Sequence, residues 1–183
     1  MAQQRRAKKV LVGVTGSIAA YKAAELVSRL CADGKEVRVV MTPSAARFIG
    51  PLTFQSLTGN PTCVEMFDEG AADPIAHVHL ARFPDVVVVA PASAQTIARL
   101  ALGMADELLS CVLLATQAPV IIAPAMNSCM WAHPAVKANI KKLRSYGYTI
   151  VEPDEGRLAC GEVGKGKLAP VETILKEIER LLT

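Results

Sequence analysis

The hydrophobic pattern of this chain is clearest at positions 83–100, Phe-Pro-Asp-Val-Val-Val-Val-Ala-Pro-Ala-Ser-Ala-Gln-Thr-Ile-Ala-Arg-Leu. Val86 to Val89 run without polar alternation, the pattern of a strand buried on both faces in a parallel sheet. That strand is expected to stop at Pro91, and an apolar period resumes at Ile97, Leu100 and Ala101 with helical spacing. Between them, Ser93-Ala94-Gln95-Thr96 supplies a hydroxyl N-cap and free backbone N–H groups at a helix start. A helix start at the carboxyl end of a strand is where open α/β sheets bind anions. The pattern recurs at 120–127, Val-Ile-Ile-Ala-Pro-Ala-Met-Asn, so two similar strand ends are expected to line one crevice.

The remaining elements follow the same two periods. Lys9–Val14 reads as the first strand and Gly13-Val14-Thr15-Gly16-Ser17 as the turn into a helix. That helix carries Ile18, Leu26, Val27 and Leu30 on its apolar face and stops at Gly34. Glu36–Met41 reads as the second strand, followed by short helices around Ala45–Ile49 and Leu52–Leu57 and a weak strand at Thr62–Met66. Asp68–Pro74 reads as a polar loop leading to Ala76-His77-Val78-His79-Leu80. Ala105–Thr116 and Pro134–Tyr146 read as helices, Val120–Ala123 and Tyr148–Val151 as strands, and Glu152–Ala169 as a mobile glycine-rich loop. Pro170 opens the last helix, where proline is tolerated. This alternation predicts an α/β fold, a single parallel sheet with helices on both faces, and no domain boundary within residues 1–183.

Composition adds limits. The chain has 183 residues, half of them hydrophobic, enough for one domain with a substantial core. Arg5, Arg6 and Lys8 in the tail 1–8, with Lys9 beside it, outweigh the formal charge of +3, and the tail reads as solvated and not as a nucleic-acid arm. The apolar run after that tail is too short for a signal peptide. The uncharged stretch Leu108–Val136 is broken by Gln117, Pro119, Pro124 and Asn127, so no membrane span is expected. Five cysteines, without a C-x-x-C pair or zinc spacing, fit a reducing cytoplasm and no metal site.

The first turn, Gly13-x-x-Gly16-Ser17, can hold a phosphate but is not G-x-G-x-x-G. The second strand ends in Met41-Thr42, without an acidic residue to hold an adenosine ribose, and there is no G-K-[ST]. These features favour a mononucleotide over a dinucleotide or a P-loop nucleotide.

Four segments occur in order: GVTGSIAAYK (Gly13–Lys22), APASAQTIARLALGMADELL (Ala90–Leu109), PAMNSCMW (Pro124–Trp131) and ACGEVGKGKLA (Ala159–Ala169). Together with His77 in His-Val-His-Leu, they closely resemble the flavin-dependent cysteine decarboxylases, and most closely the branch acting on phosphopantothenoylcysteine in coenzyme A biosynthesis. The resemblance implies a doubly wound, Rossmann- or flavodoxin-like fold that binds FMN, with flavin sites at subunit contacts of a homotrimer or homododecamer. It also implies a phosphopantothenate–cysteine ligase, fused or separate, as partner.

By the same resemblance, FMN contacts fall at Gly16, Ser17, Ile18, Thr42, Ser44, Ser93, Ala94, Gln95, Thr96 and Ala125. Gln95 departs from the family's P-A-S-A-N-T, although its longer amide keeps the hydrogen-bonding group. The catalytic positions match His77, Asn127 and Cys160, and the substrate-binding positions Asn127, Ala159 and Gly161.

These residue types suit the implied chemistry. His77 reads as a polar active-site group and candidate base, whereas His79 stays a structural residue. Asn127 offers the substrate carboxylate a hydrogen bond without a cation that would hold back the departing CO₂. Cys160, in the glycine-rich loop, is placed to deliver a proton. Cys31, Cys63, Cys111 and Cys129 read as small buried hydrophobes and Met126, Met130 and Trp131 as packing; Lys167, after Gly166, reads first as a solvated lysine, with contact to the substrate phosphate as the other reading. Two further activities share the motifs: peptidyl-cysteine decarboxylation, which stops at the enethiol, and a non-catalytic flavoprotein that regulates a phosphatase. Cys160 favours the coenzyme A branch over the first. Intact His77, Asn127 and Cys160 argue against the second.

Overall fold

Five apolar runs of the sequence pair side by side in the computed structural model, which describes residues 6–66 and 75–183. They are β1 (Lys9–Val14), β2 (Glu36–Met41), β3 (Val86–Ala92), β4 (Val120–Pro124) and β5 (Thr149–Ile150), all parallel, in the order β2-β1-β3-β4-β5. The chain moves outward from β1 to β2, then returns to place β3 on the other side of β1. This is the flavodoxin-like order, whose ligand crevice opens at the β1/β3 switch point.

Alternate residues of each strand enter opposite layers. Val86 and Val88 join Val10, Val12 and Ile121 on one face, while Val87 and Val89 join Leu11 and Ile122 on the other. Every residue of β3 is buried, which is why the sequence shows no polar alternation there. The first face is covered by α1 (Ala20–Ala32), α2 (Pro43–Ala46), α3 (Pro51–Thr58) and a late helix, α9 (Val171–Leu182), through Leu26, Leu30, Phe54, Ile174 and Ile178. The second is covered by α4 (Ala76–Arg82), α5 (Ala94–Leu102), α6 (Leu108–Ala115), α7 (Ser128–Ala132) and α8 (Pro134–Ser145), through Leu80, Ile97, Leu109, Trp131 and Ile140. Among the described residues, no helix is long and apolar enough to cross a membrane.

Several elements differ from the sequence pattern. Ile18 lies before α1 and is 56% exposed, because the turn at Thr15–Ala19 delays the helix to Ala20. The first short helix begins earlier, at Pro43, where Thr42 Oγ1 caps it by accepting the Ala45 N–H. The expected helix from Ala105 starts at Leu108, with Glu107 as its N-cap. The weak strand at 62–66 shrinks to one bridge between Val40 and Cys63. β3 continues past Pro91 to Ala92 through a register shift against β4, a place where a missing N–H is tolerated. His77 lies within α4, and the loop expected at 68–74 falls outside the described residues.

The largest correction concerns the glycine-rich loop. Residues 154–167 form an antiparallel hairpin, β6 (Asp154–Arg157) and β7 (Val163–Lys167), with Gly156 opposite Gly164. Apart from Val163, both strands consist of charged and glycine residues, so no apolar alternation marks them.

Candidate functional site

The carboxyl ends of β1, β3 and β4 open onto a single cavity of about 690 Å³, within the ~300–1,000 Å³ common for small-molecule sites. Thr15 holds the first two ends together. Fully buried, it donates from Oγ1 to the Pro91 carbonyl and accepts the Ser93 N–H at the same oxygen, both at 2.8 Å. Gly16 then passes so close to the start of α2 that a Cβ there would lie 2.6 Å from Ser44 Cβ. Ser17 Oγ accepts the Ala19 N–H at 3.3 Å. Ser93 caps α5, its Oγ accepting the Thr96 N–H at 3.3 Å and sharing a hydrogen bond with Thr96 Oγ1 at 3.1 Å.

At the third strand end, Asn127 caps α7. Its Oδ1 accepts the Cys129 N–H at 2.8 Å and its Nδ2 donates to Cys160 Sγ at 3.6 Å. Cys160 reaches this position because the hairpin is docked onto the β4–α7 turn. The Met126 N–H donates to the Gly166 carbonyl at 2.9 Å, and Gly166 has φ 154°, where a Cβ would lie 2.3 Å from the Met126 carbonyl oxygen. Glu152 anchors the other side, bridging Arg144 of α8 and Lys165 of β7, the latter at 3.1 Å. Partial burial pushes the Glu152 carboxyl up, but hydrogen bonds from Lys165 and Arg144, with their charges, outweigh it and hold the carboxyl below its ordinary range.

Among the described residues, the cavity is lined by Lys22, Arg157 and Lys167 but by no carboxylate. Ile18, Tyr21, Phe48 and Met130 supply a wall of exposed apolar surface. Such a site fits a flat, largely apolar ligand carrying negative charge, and FMN has that character.

Of the residues expected from the sequence, Gly16, Ser17, Ile18, Ser93, Ala94, Ala125, Asn127, Ala159 and Cys160 line this cavity. Thr42, Ser44 and Thr96 stand behind it: Thr42 and Thr96 are buried cap partners, and Ser44 abuts Gly16. Gln95 is exposed and does not line it. Gly161 turns the hairpin at φ 88°, next to Cys160. His77 is half-buried on α4, which packs against α6, and is not among the lining residues.

Several packing expectations fail: Cys31, Cys63 and Cys111 are only half-buried, Cys129 is exposed, Met126 lines the cavity, and Met130 is 47% exposed there. Trp131 does pack in the core. Thr15, Gly166 and Arg157 were not singled out by sequence reasoning. For Thr15 the available signal was a hydroxyl directly after five apolar strand residues.

A family model for flavoproteins matches residues 1–183. The chain belongs to the flavoprotein family. Over 173 residues, 94% of the chain, it is 49% identical to the coenzyme A biosynthesis bifunctional protein CoaBC of Bacillus subtilis (strain 168). It spans only 43% of that relative's length. Among solved structures, a cysteine-to-serine variant of a PPC decarboxylase, complexed with pantothenoylaminoethenethiol, superposes with a TM-score of 0.84 at 32% identity, covering 96% of this chain and 98% of that one. The FMN-dependent cysteine decarboxylase SpaF superposes with a TM-score of 0.83 at 34% identity, with the same coverages.

Proposed function

We propose that this flavoprotein is an FMN-dependent decarboxylase that converts phosphopantothenoylcysteine into phosphopantetheine. The observation that carries the reading is the meeting of Asn127 and Cys160 at one wall of the cavity. The similarity to a bifunctional coenzyme A biosynthesis protein supports the substrate. A ligase that makes phosphopantothenoylcysteine, fused or separate, is the proposed partner.

Gly16, Ser17, Ile18, Ser93, Ala94 and Ala125 line the wall that holds FMN, and Thr42, Ser44, Gln95 and Thr96 support or flank it. When bound, FMN supplies the reversible hydride chemistry that turns the substrate's Cβ–SH into a thioaldehyde, the electron sink for loss of CO₂. Asn127 binds the substrate carboxylate through its side-chain amide, without a positive charge that would stabilise the ground-state carboxylate against loss of CO₂. Ala159 and Gly161 flank the bound cysteine portion on the hairpin. After decarboxylation, Cys160 donates a proton to the enethiolate. His77, away from the cavity of its own chain, reaches the site of a neighbouring copy in a homotrimer or homododecamer and orients the reacting thiol.

The test is mass spectrometry of phosphopantothenoylcysteine incubated with the purified, FMN-loaded protein. Phosphopantetheine is the expected product. Recovery of unchanged substrate contradicts the reading.

A further inference from the structure

The hairpin presents two cations to the cavity, and the assigned chemistry uses neither. Arg157 ends β6, and Lys167 ends β7. Both line the cavity, and neither has an ion-pair partner among the described residues. Lys165, two residues back along β7, is by contrast committed to Glu152 at 3.1 Å.

Lys167 is paired with Asp154, three residues before Arg157. Its side chain folds back along the ribbon, Cδ and Nζ lying 3.3 and 3.6 Å from where a Cβ of Gly156 would stand. Gly156 therefore leaves the trough in which the lysine lies. No carboxylate lines the cavity with these two cations. A guanidinium and an ammonium lining one cavity can receive a phosphate monoester.

We infer that Arg157 and Lys167 bind the terminal phosphate of the substrate, and so set the preference for a phosphorylated small molecule over a peptide ending in cysteine. The inference rests on the decarboxylase reading above. The same chemistry also describes the phosphate of FMN, and the two sources separate experimentally. Ser17 and the capped start of α5, across the cavity, serve the flavin phosphate.

The experiment compares Arg157→Ala, Lys167→Ala and Lys167→Arg with the unaltered protein. Three readouts are taken: kcat/KM for phosphopantothenoylcysteine, kcat/KM for pantothenoylcysteine, and FMN affinity by flavin fluorescence quenching. Loss of a charge-assisted contact is expected to lower the ratio of the two kcat/KM values roughly tenfold to a hundredfold in each alanine variant. Lys167→Arg should restore most of the ratio, and FMN affinity should stay within a factor of about two of the unaltered protein. An unchanged ratio overturns the inference while leaving the decarboxylase reading intact. A loss of FMN affinity with an unchanged ratio assigns the pair to the flavin phosphate and also overturns it. If the unaltered protein turns over neither compound, both readings fall.

Discussion

Asn127 and Cys160, far apart in sequence, meet through a side-chain contact, Asn127 Nδ2 donating to Cys160 Sγ at 3.6 Å. The same asparagine caps α7 through Oδ1, which accepts the Cys129 N–H at 2.8 Å. One amide thus does two jobs with its two ends. Asn127→Asp keeps the acceptor and the cap but removes the donor, and it places a negative charge where the substrate carboxylate is proposed to bind. The variant should melt close to the unaltered protein while turnover falls roughly tenfold to a hundredfold, since hydrogen bonds to charged groups contribute about 1.5–3 kcal/mol. Steady-state kinetics beside a thermal melt checks this. Retained turnover would reduce Asn127 to a helix cap.

The contact depends on the docking of the hairpin, and the docking depends on Gly166. Any side chain there meets the Met126 carbonyl at 2.3 Å and strains a φ of 154°. Gly166→Ala should free the Met126 amide, now bonded to the Gly166 carbonyl at 2.9 Å, and separate Cys160 from Asn127. Hydrogen exchange is expected to speed up at Met126 but not in β3, with turnover falling by more than overall stability. Unchanged exchange at Met126 would mean that the close approach is absorbed elsewhere.

Thr15 is the clamp between the first and second strand ends. Thr15→Val is nearly isosteric, yet it strips the Ser93 N–H of its acceptor and removes a donor from the Pro91 carbonyl. An unsatisfied buried polar group costs about 1–3 kcal/mol. FMN affinity in a fluorescence titration should therefore drop, and Thr15→Ser should recover it. Equal affinity in Thr15→Val would exclude the clamp from flavin binding.

Glu152 makes the hairpin's anchorage sensitive to acid. Partial burial raises its carboxyl, but the hydrogen bonds and charges of Lys165 and Arg144 lower it further, leaving the folded value below the unfolded one. For a depressed carboxyl, the stabilisation is present above the ordinary value of about 4.3 and is lost as pH falls through the folded value. Amide protection in β6 and β7 should decline across that acidic window in the unaltered protein. Glu152→Gln should show weaker protection at neutral pH and a flatter profile. Parallel profiles for the two proteins would contradict the role of this anchor.

The sheet was legible because its strands are continuous apolar runs, and β1 and β2 lie where the pattern places them, at Lys9–Val14 and Glu36–Met41. The cap at Ser93 was legible for the same local reason: a hydroxyl stands between a strand and a helical period. The hairpin was not legible. Its ribbon is held by cross-strand hydrogen bonds and by docking onto Met126, neither of which leaves an apolar alternation in the sequence. Thr15, Gly166 and Arg157 were missed for a related reason. Their partners lie tens of residues away or across a strand register, and only the fold brings them together.

The central claim is that Cys160 completes the reaction after CO₂ has left. The most direct measurement is anaerobic single-turnover product mass, taken with flavin absorbance on the same sample, for the unaltered protein and Cys160→Ser with phosphopantothenoylcysteine. A serine hydroxyl keeps the size but is a far weaker acid than a thiol. The variant should still release CO₂, but its product should lack two hydrogens relative to phosphopantetheine, and its flavin should remain reduced. Saturated phosphopantetheine from Cys160→Ser, with the flavin returned to its oxidised state, would contradict the account.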